Sequence, residues 1–225
     1  MSVVSDTIDW LTDPINRTGP DGFVHRTVEH LGYTAETIAI AAVIALPIGL
    51  WIGHTGRFRS AAVAITGAFR ALPTLGLLIM IVLFLGIGLT PTLIALTVLA
   101  VPPLLAGAYS GLESVDRQTI DAARAMGMTE LQILRKVEIP LALPIIVGGF
   151  RSAVLQVVAT ATVAAYVGLG GLGRYLIDGQ AISDYAQMAG GSVLVIALAV
   201  VLDACFAGLQ GAATGRRPQR QPAAA

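Results

Sequence analysis

The feature that most constrains this chain is residues 71–112, where 42 consecutive positions carry no charge. As one helix this stretch would reach about 63 Å at ~1.5 Å per residue, twice the roughly 30 Å hydrocarbon core of a bilayer. No single crossing can use that length, so the stretch must turn. Gly86, Gly88 and Pro91 mark the break, because two glycines and a proline interrupt a continuing helix. Composition agrees. Of 225 residues, 55% are hydrophobic and 12% charged, against roughly 25% charged in soluble domains, and mean hydropathy is +0.77. So few charges cannot coat a water-soluble body of this size, and the expected fold class is all-α, a polytopic transmembrane helical bundle.

Five spans are predicted, over residues 34–53 (interrupted by Pro47), 61–86, 92–112, 144–166 and 185–210. Lys and Arg near span ends favour the cytoplasmic side. With the C-terminus inside, nine basic residues lie in the cytoplasm (Arg57, Arg59, Arg117, Arg124, Arg135, Lys136, Arg216, Arg217, Arg220) and three outside (Arg17, Arg26, Arg174). The N-terminus is then extracytoplasmic. The chain divides into a polar N-terminal segment at 1–32, a transmembrane domain at 33–211 with a cytoplasmic loop at 113–138, and a basic cytoplasmic tail at 212–225. The N-terminal segment has no basic cluster ahead of an apolar core and does not read as a secretory signal. Val3, Val4, Ile8, Trp10 and Leu11 make it either a short interfacial helix or a mobile leader.

The charged loop at 113–138 has strong local signals. Asp116 can cap a helix over 117–126, and Gly127 stands where a left-handed C-terminal residue is wanted. Thr129 and Gln132 have capping-box spacing for a second short helix, and Pro140 with Pro144 closes the unit and starts the next span. Two short helices at a glycine turn form a compact knob, and the small side chains of Ala122 and Ala123 let another surface approach the backbone.

Within that knob, Asp121-Ala122-Ala123, then Gly127, then Val137-Glu138-Ile139-Pro140 resembles the EAA loop of permease subunits of bacterial ATP-binding-cassette importers. Asp121 stands for the usual Glu and Val137 for the usual Ile. The resemblance implies a type I, methionine-permease-like fold. It also implies that Asp121, Ala122, Ala123, Gly127, Val137, Ile139 and Pro140 belong to the coupling helix that docks a cytoplasmic ATPase subunit. It further implies an extracytoplasmic substrate-binding protein and a second permease, identical or paralogous. Ala45-Leu-Pro-Ile-Gly49, Ala71-Leu-Pro-Thr-Leu75, Ile139-Pro-Leu-Ala-Leu-Pro144 and Thr160-Ala-Thr162, with Val167-Gly-Leu-Gly-Gly-Leu-Gly173, are most similar to osmoprotectant permeases for glycine betaine, choline or carnitine. A methionine or other small amino-acid permease is the alternative within this class. An ATP-independent secondary transporter is a rival from another class, disfavoured by the absence of a recognisable internal repeat.

Other features weigh against catalysis. His25, His30 and His54 are expected outside the apolar interiors, which leaves no HExxH helix and no intramembrane Ser–His dyad. There is no G-x-x-x-x-G-K-[ST] loop, so energy must come from a partner. Equal numbers of acidic and basic residues, 14 of each, offer no face for nucleic acid. No cofactor or metal is expected. Gly168 to Gly173 fits G-x-G-x-x-G but follows a span, so it reads as an external bend or re-entrant element rather than a nucleotide site. Gly49 and Gly53, and Gly107 and Gly111, have a spacing that either marks helix contacts or recurs by chance. Cys205, in an apolar run, is expected to pack. Arg70, Arg151, Gly170 and Asp203 are candidates for pathway or gating positions. The two arginines could instead snorkel or lie just past the boundary, and Asp203 could pair with one of them or with a neighbouring subunit.

Overall fold

A computed structural model describes residues 3–215, with the Arg70 side chain outside the described set. Every regular element among the described residues is helical. The α-helices are α1 (Val3–Thr12), α2 (Phe23–Thr55), α3 (Arg59–Arg70), α4 (Thr74–Leu85), α5 (Leu89–Glu113), α6 (Arg117–Ala125), α7 (Glu130–Ile133), α8 (Ile139–Ala164), α9 (Gly173–Ile182) and α10 (Tyr185–Thr214). Four helical stretches are long and apolar enough to cross a membrane, and a bent pair, counted as one span, would make a fifth.

Helix α5 forms the centre and packs on α2, α3, α4 and α8. Small residues let it do so. A Cβ on Gly107 would lie 2.6 Å from Cα of Gly149 on α8, and one on Gly49 of α2 would lie 2.6 Å from Cβ of Ala108. Both glycine pairs noted in the sequence therefore mark backbone-close helix contacts. Around them Ala41, Ala45, Ala100, Leu104, Ala153 and Val157 form a core that excludes lipid and water.

Three of the membrane-spanning stretches differ from expectation in their helices. Helix α2 starts at Phe23 rather than near Thr34, so the division at residue 32 falls inside a helix. Tertiary contacts hold this polar first part. Arg26 bridges Asp21 at 2.5 Å and Glu29 at 2.8 Å. His30 is fully buried and donates from Nε2 to the Val158 carbonyl at 3.0 Å, which corrects its expected place outside the interior. The stretch expected as the second span is two helices, α3 and α4, bent by 88°. Pro73 cannot donate to α3, and it disfavours helical backbone at Leu72. The helix of the fourth span starts well before Pro144. Helix is continuous from Glu130 to Val167 through a π-type turn at Leu134–Glu138. There the Ile139 N–H reaches back to the Leu134 carbonyl, a widened register that carries the helix across Pro140.

The N-terminal helix is folded onto the bundle. Trp10 meets Tyr175 edge-on at 5.1 Å and Phe23 at 5.4 Å, while its ring fills the space over Gly190. The Tyr175 hydroxyl donates to the Asp21 carbonyl at 2.5 Å, and burial pushes its pKa up to about 12. The basic tail at Arg216, Arg217 and Arg220 lies outside the described residues.

Candidate functional site

The loop between α5 and α8 folds as its local signals require. Asp116 accepts from the Gln118 N–H at 3.1 Å and starts α6. Gly127, at φ +81, turns the chain in the left-handed region where a side chain would be strained. At α7 the Thr129 N–H donates to Gln132 Oε1 at 2.9 Å, and the Gln132 N–H to Thr129 Oγ1 at 3.4 Å, closing the capping box. Arg124 crosses the turn and donates to both oxygens of Glu130, at 2.8 and 3.1 Å. That hydrogen bond is the main reason its guanidinium pKa is raised.

Within the Asp-Ala-Ala triplet the roles divide. Ala123 is 2% exposed and seats α6 on the bundle, whereas Asp121 and Ala122 face outward. Met126, 75% exposed, extends that outer face. Val137 and Ile139 are half-buried at the π-type turn and Pro140 is exposed, so they belong to the mounting of the knob. The knob is α6 and α7, and α7 runs on through the π-type turn into α8.

Sequence reasoning missed the residue that ties this unit to α2. Glu138 is 2% exposed and accepts from His54 Nδ1 at 2.5 Å; His54 Nε2 lies 3.4 Å from Glu130. His54 closes the last turn of α2, so its imidazole sits between the foot of α8 and the start of α7. A carboxylate flanked by Val137 and Ile139 at a span edge was a readable signal, since buried charge needs a partner. The partner, 84 residues away, was not readable. A cleft of about 580 Å³ lies beside this contact, lined by His54, Arg59, Glu113, Arg117, Asp121 and Glu138.

The other candidates lie elsewhere. Arg151 and Asp203 pair through two hydrogen bonds, 2.6 and 2.7 Å, joining α8 to α10. Gly170 lies against Glu29 in the first turns of α2, and Glu29 to His54 at the knob end of that helix is about 38 Å at ~1.5 Å per residue. A Cβ there would meet the Glu29 carboxylate at 2.6 Å, while the Gly171 N–H donates to Glu29 at 2.9 Å. The glycine turn thus docks the start of α2. It follows a helix rather than a strand, which removes the nucleotide-binding reading. Arg70 ends α3, and its side chain lies outside the described residues. Among the described residues no cluster of His, Cys, Asp or Glu could hold a metal.

Residues 45–217 match the family described as binding-protein-dependent transport system inner membrane component. The chain is 30% identical to a glycine betaine/carnitine/choline transport system permease protein of Bacillus subtilis, over 83% of this chain and 86% of that one. It is 35% identical to an osmoprotectant import permease protein of Salmonella typhimurium, over 79% and 85%. Among solved structures, an inward-facing MetNI methionine ABC transporter superposes with a TM-score of 0.76 at 28% identity, covering 84% of this chain and 95% of that one.

Proposed function

Because the chain belongs to the family of binding-protein-dependent transport system inner membrane components, we propose that it is the permease subunit of an ATP-driven importer for osmoprotectants of the glycine betaine, choline and carnitine class. The observation that carries the mechanism is the presentation of α6. Its outer face, with Asp121 and Ala122, is free, while its inner face and both ends are clamped by Ala123, the Asp116 cap, Gly127 and the Arg124–Glu130 pair. A helix held this way can carry a push. We place it in the cytoplasm, from the distribution of Lys and Arg, and take its partner to be an ATPase subunit that grips one such helix on each of two permeases, identical or paralogous.

Force applied to α6 passes along two routes. One runs through α7 and the π-type turn into α8; the other runs through Glu138 and His54 into α2. Both helices pack on α5, so closure of the ATPases would rock the bundle between inward- and outward-open states as a two-state change. An extracytoplasmic binding protein would deliver the solute to the end carrying α1, α9 and the glycine turn. The cargo reading is supported by the relatives named above. A receptor that binds methionine and none of the quaternary amines would replace it.

The test is Gly127→Asp in the assembled transporter. At φ +81 the new side chain is strained and changes the entry to α7. Uptake and solute-stimulated ATP hydrolysis should fall by roughly tenfold or more, while membrane insertion and yield persist. Normal coupled uptake by the verified variant would remove α6 from the mechanism.

A further inference from the structure

Helix α8 has two faces. Ala153, Val157, Val158, Ala161 and Ala164 are at most 1% exposed and pack into the bundle, while Ser152, Gln156 and Ala159 form an exposed stripe on another side. Ser152 lies midway along α8 and Gln156 one turn beyond, near the middle of a helix long and apolar enough to cross a membrane. The Gln156 amide makes no side-chain hydrogen bond among the described residues. A primary amide facing lipid there is costly, so this stripe must face water, solute or another polar surface.

A second observation points at the same place. The break between α3 and α4 leaves non-helical backbone at Ala71–Pro73, and irregular backbone at membrane depth is tolerated only against protein or a wet cavity. Stripe and break share one recess of about 390 Å³, lined by Phe69, Leu72, Thr74, Pro102, Ser152 and Gln156. That volume suits a small molecule. Broken helices near the midplane are where transporters commonly hold their solutes.

We propose that this recess is a transmembrane way-station for the transported solute. Gln156, Ser152 and Thr74 hydrogen-bond the polar end of the solute, and Phe69 with Leu72 covers its methylated end. The described lining side chains carry hydroxyls, an amide and an aromatic ring but no charge. Such a set can hold a zwitterion transiently without trapping it, the ring face attracting a quaternary ammonium while neutral donors meet the carboxylate. This chemical assignment rests on the cargo reading above; the location rests on the polar stripe and the break.

The experiment uses the complete transporter with its ATPases and receptor, reconstituted in liposomes, carrying Gln156→Cys in a Cys205→Ser background, since Cys205 is itself exposed. A membrane-impermeant, positively charged methanethiosulfonate should label the new thiol, at rates that differ between nucleotide-free and ATP-bound states. Glycine betaine supplied with its receptor should slow that labelling. If the receptor does not bind glycine betaine, the cargo reading fails, and protection is measured with the solute that it does bind. Ser152→Cys repeats the labelling test one turn away. Gln156→Leu should cut uptake by roughly tenfold, with Gln156→Asn restoring part of it. Absence of labelling in both states, labelling that no bound solute slows, or full uptake by Gln156→Leu overturns the proposal.

Discussion

Helices α5 and α10 are both long, apolar and nearly free of charge, yet 61% of the apolar window of α5 is buried inside the chain and none of that of α10. Hydrophobicity does not separate them; the position of small residues does. Gly107 and Gly111 of α5 face Gly149 and Ala142 of α8, and α2 presents Gly49 and Gly53 to the other side of α5, so backbones meet on two sides. On α10, Gly190 and Gly191 are filled by Trp10 and Tyr175, but a Cβ on Gly208 or Gly211 would touch nothing within 4 Å. Cys205, expected to pack, is exposed on that same half. Within a membrane, where lipid is as apolar as Leu, close van der Waals contact decides which helix goes to the centre.

Substitutions can break that contrast. The largest effect is expected for Gly107→Val, whose side chain would have to enter the space of the Gly149 backbone. Backbone cannot step aside as a side chain can, so the loss should reach or exceed the upper end of the ~1–3 kcal/mol typical of overpacking. It would be read as a collapse of melting temperature and monodisperse yield in detergent. An unchanged melting temperature would mean that α5 is not held as described.

A smaller shift is expected for Asp203→Ala, which leaves the Arg151 guanidinium without its partner on α10. The melting temperature should fall, and the double variant Arg151→Met with Asp203→Leu should recover most of it. No recovery would show that the pair does more than fasten the two helices. The smallest effect is expected for Val200→Ala, at a position 62% exposed, with a change within about 0.5 kcal/mol. A loss matching that of Gly107→Val would erase the difference between the helices.

The knob was legible because its determinants are local. The Asp116 cap, the left-handed Gly127 and the Thr129–Gln132 box each act over three residues or fewer, so spacing alone announces them. Gly86 and Gly88 likewise ended α4 where the turn was expected. The boundaries of α2 and α8 were not legible. Arg26, Glu29 and His30 look like a polar leader until Gly171 and the Val158 carbonyl arrive to receive them. Pro140 and Pro144 look like stops until a π-type turn absorbs the first. Among the candidate site residues, Asp121, Ala122 and Ala123 stand together on α6, but their division into an outer and an inner face appears only once α6 is seated.

What the residue order alone determined is therefore the membrane class, the apolar stretches and the capped knob, since composition, run length and capping act within a few turns of chain. What only the tertiary structure decided is which apolar helix is central, where the second span breaks, and that His54 meets Glu138. Those depend on distant segments filling each other's gaps and answering each other's buried polar groups, and no local spacing contains that information.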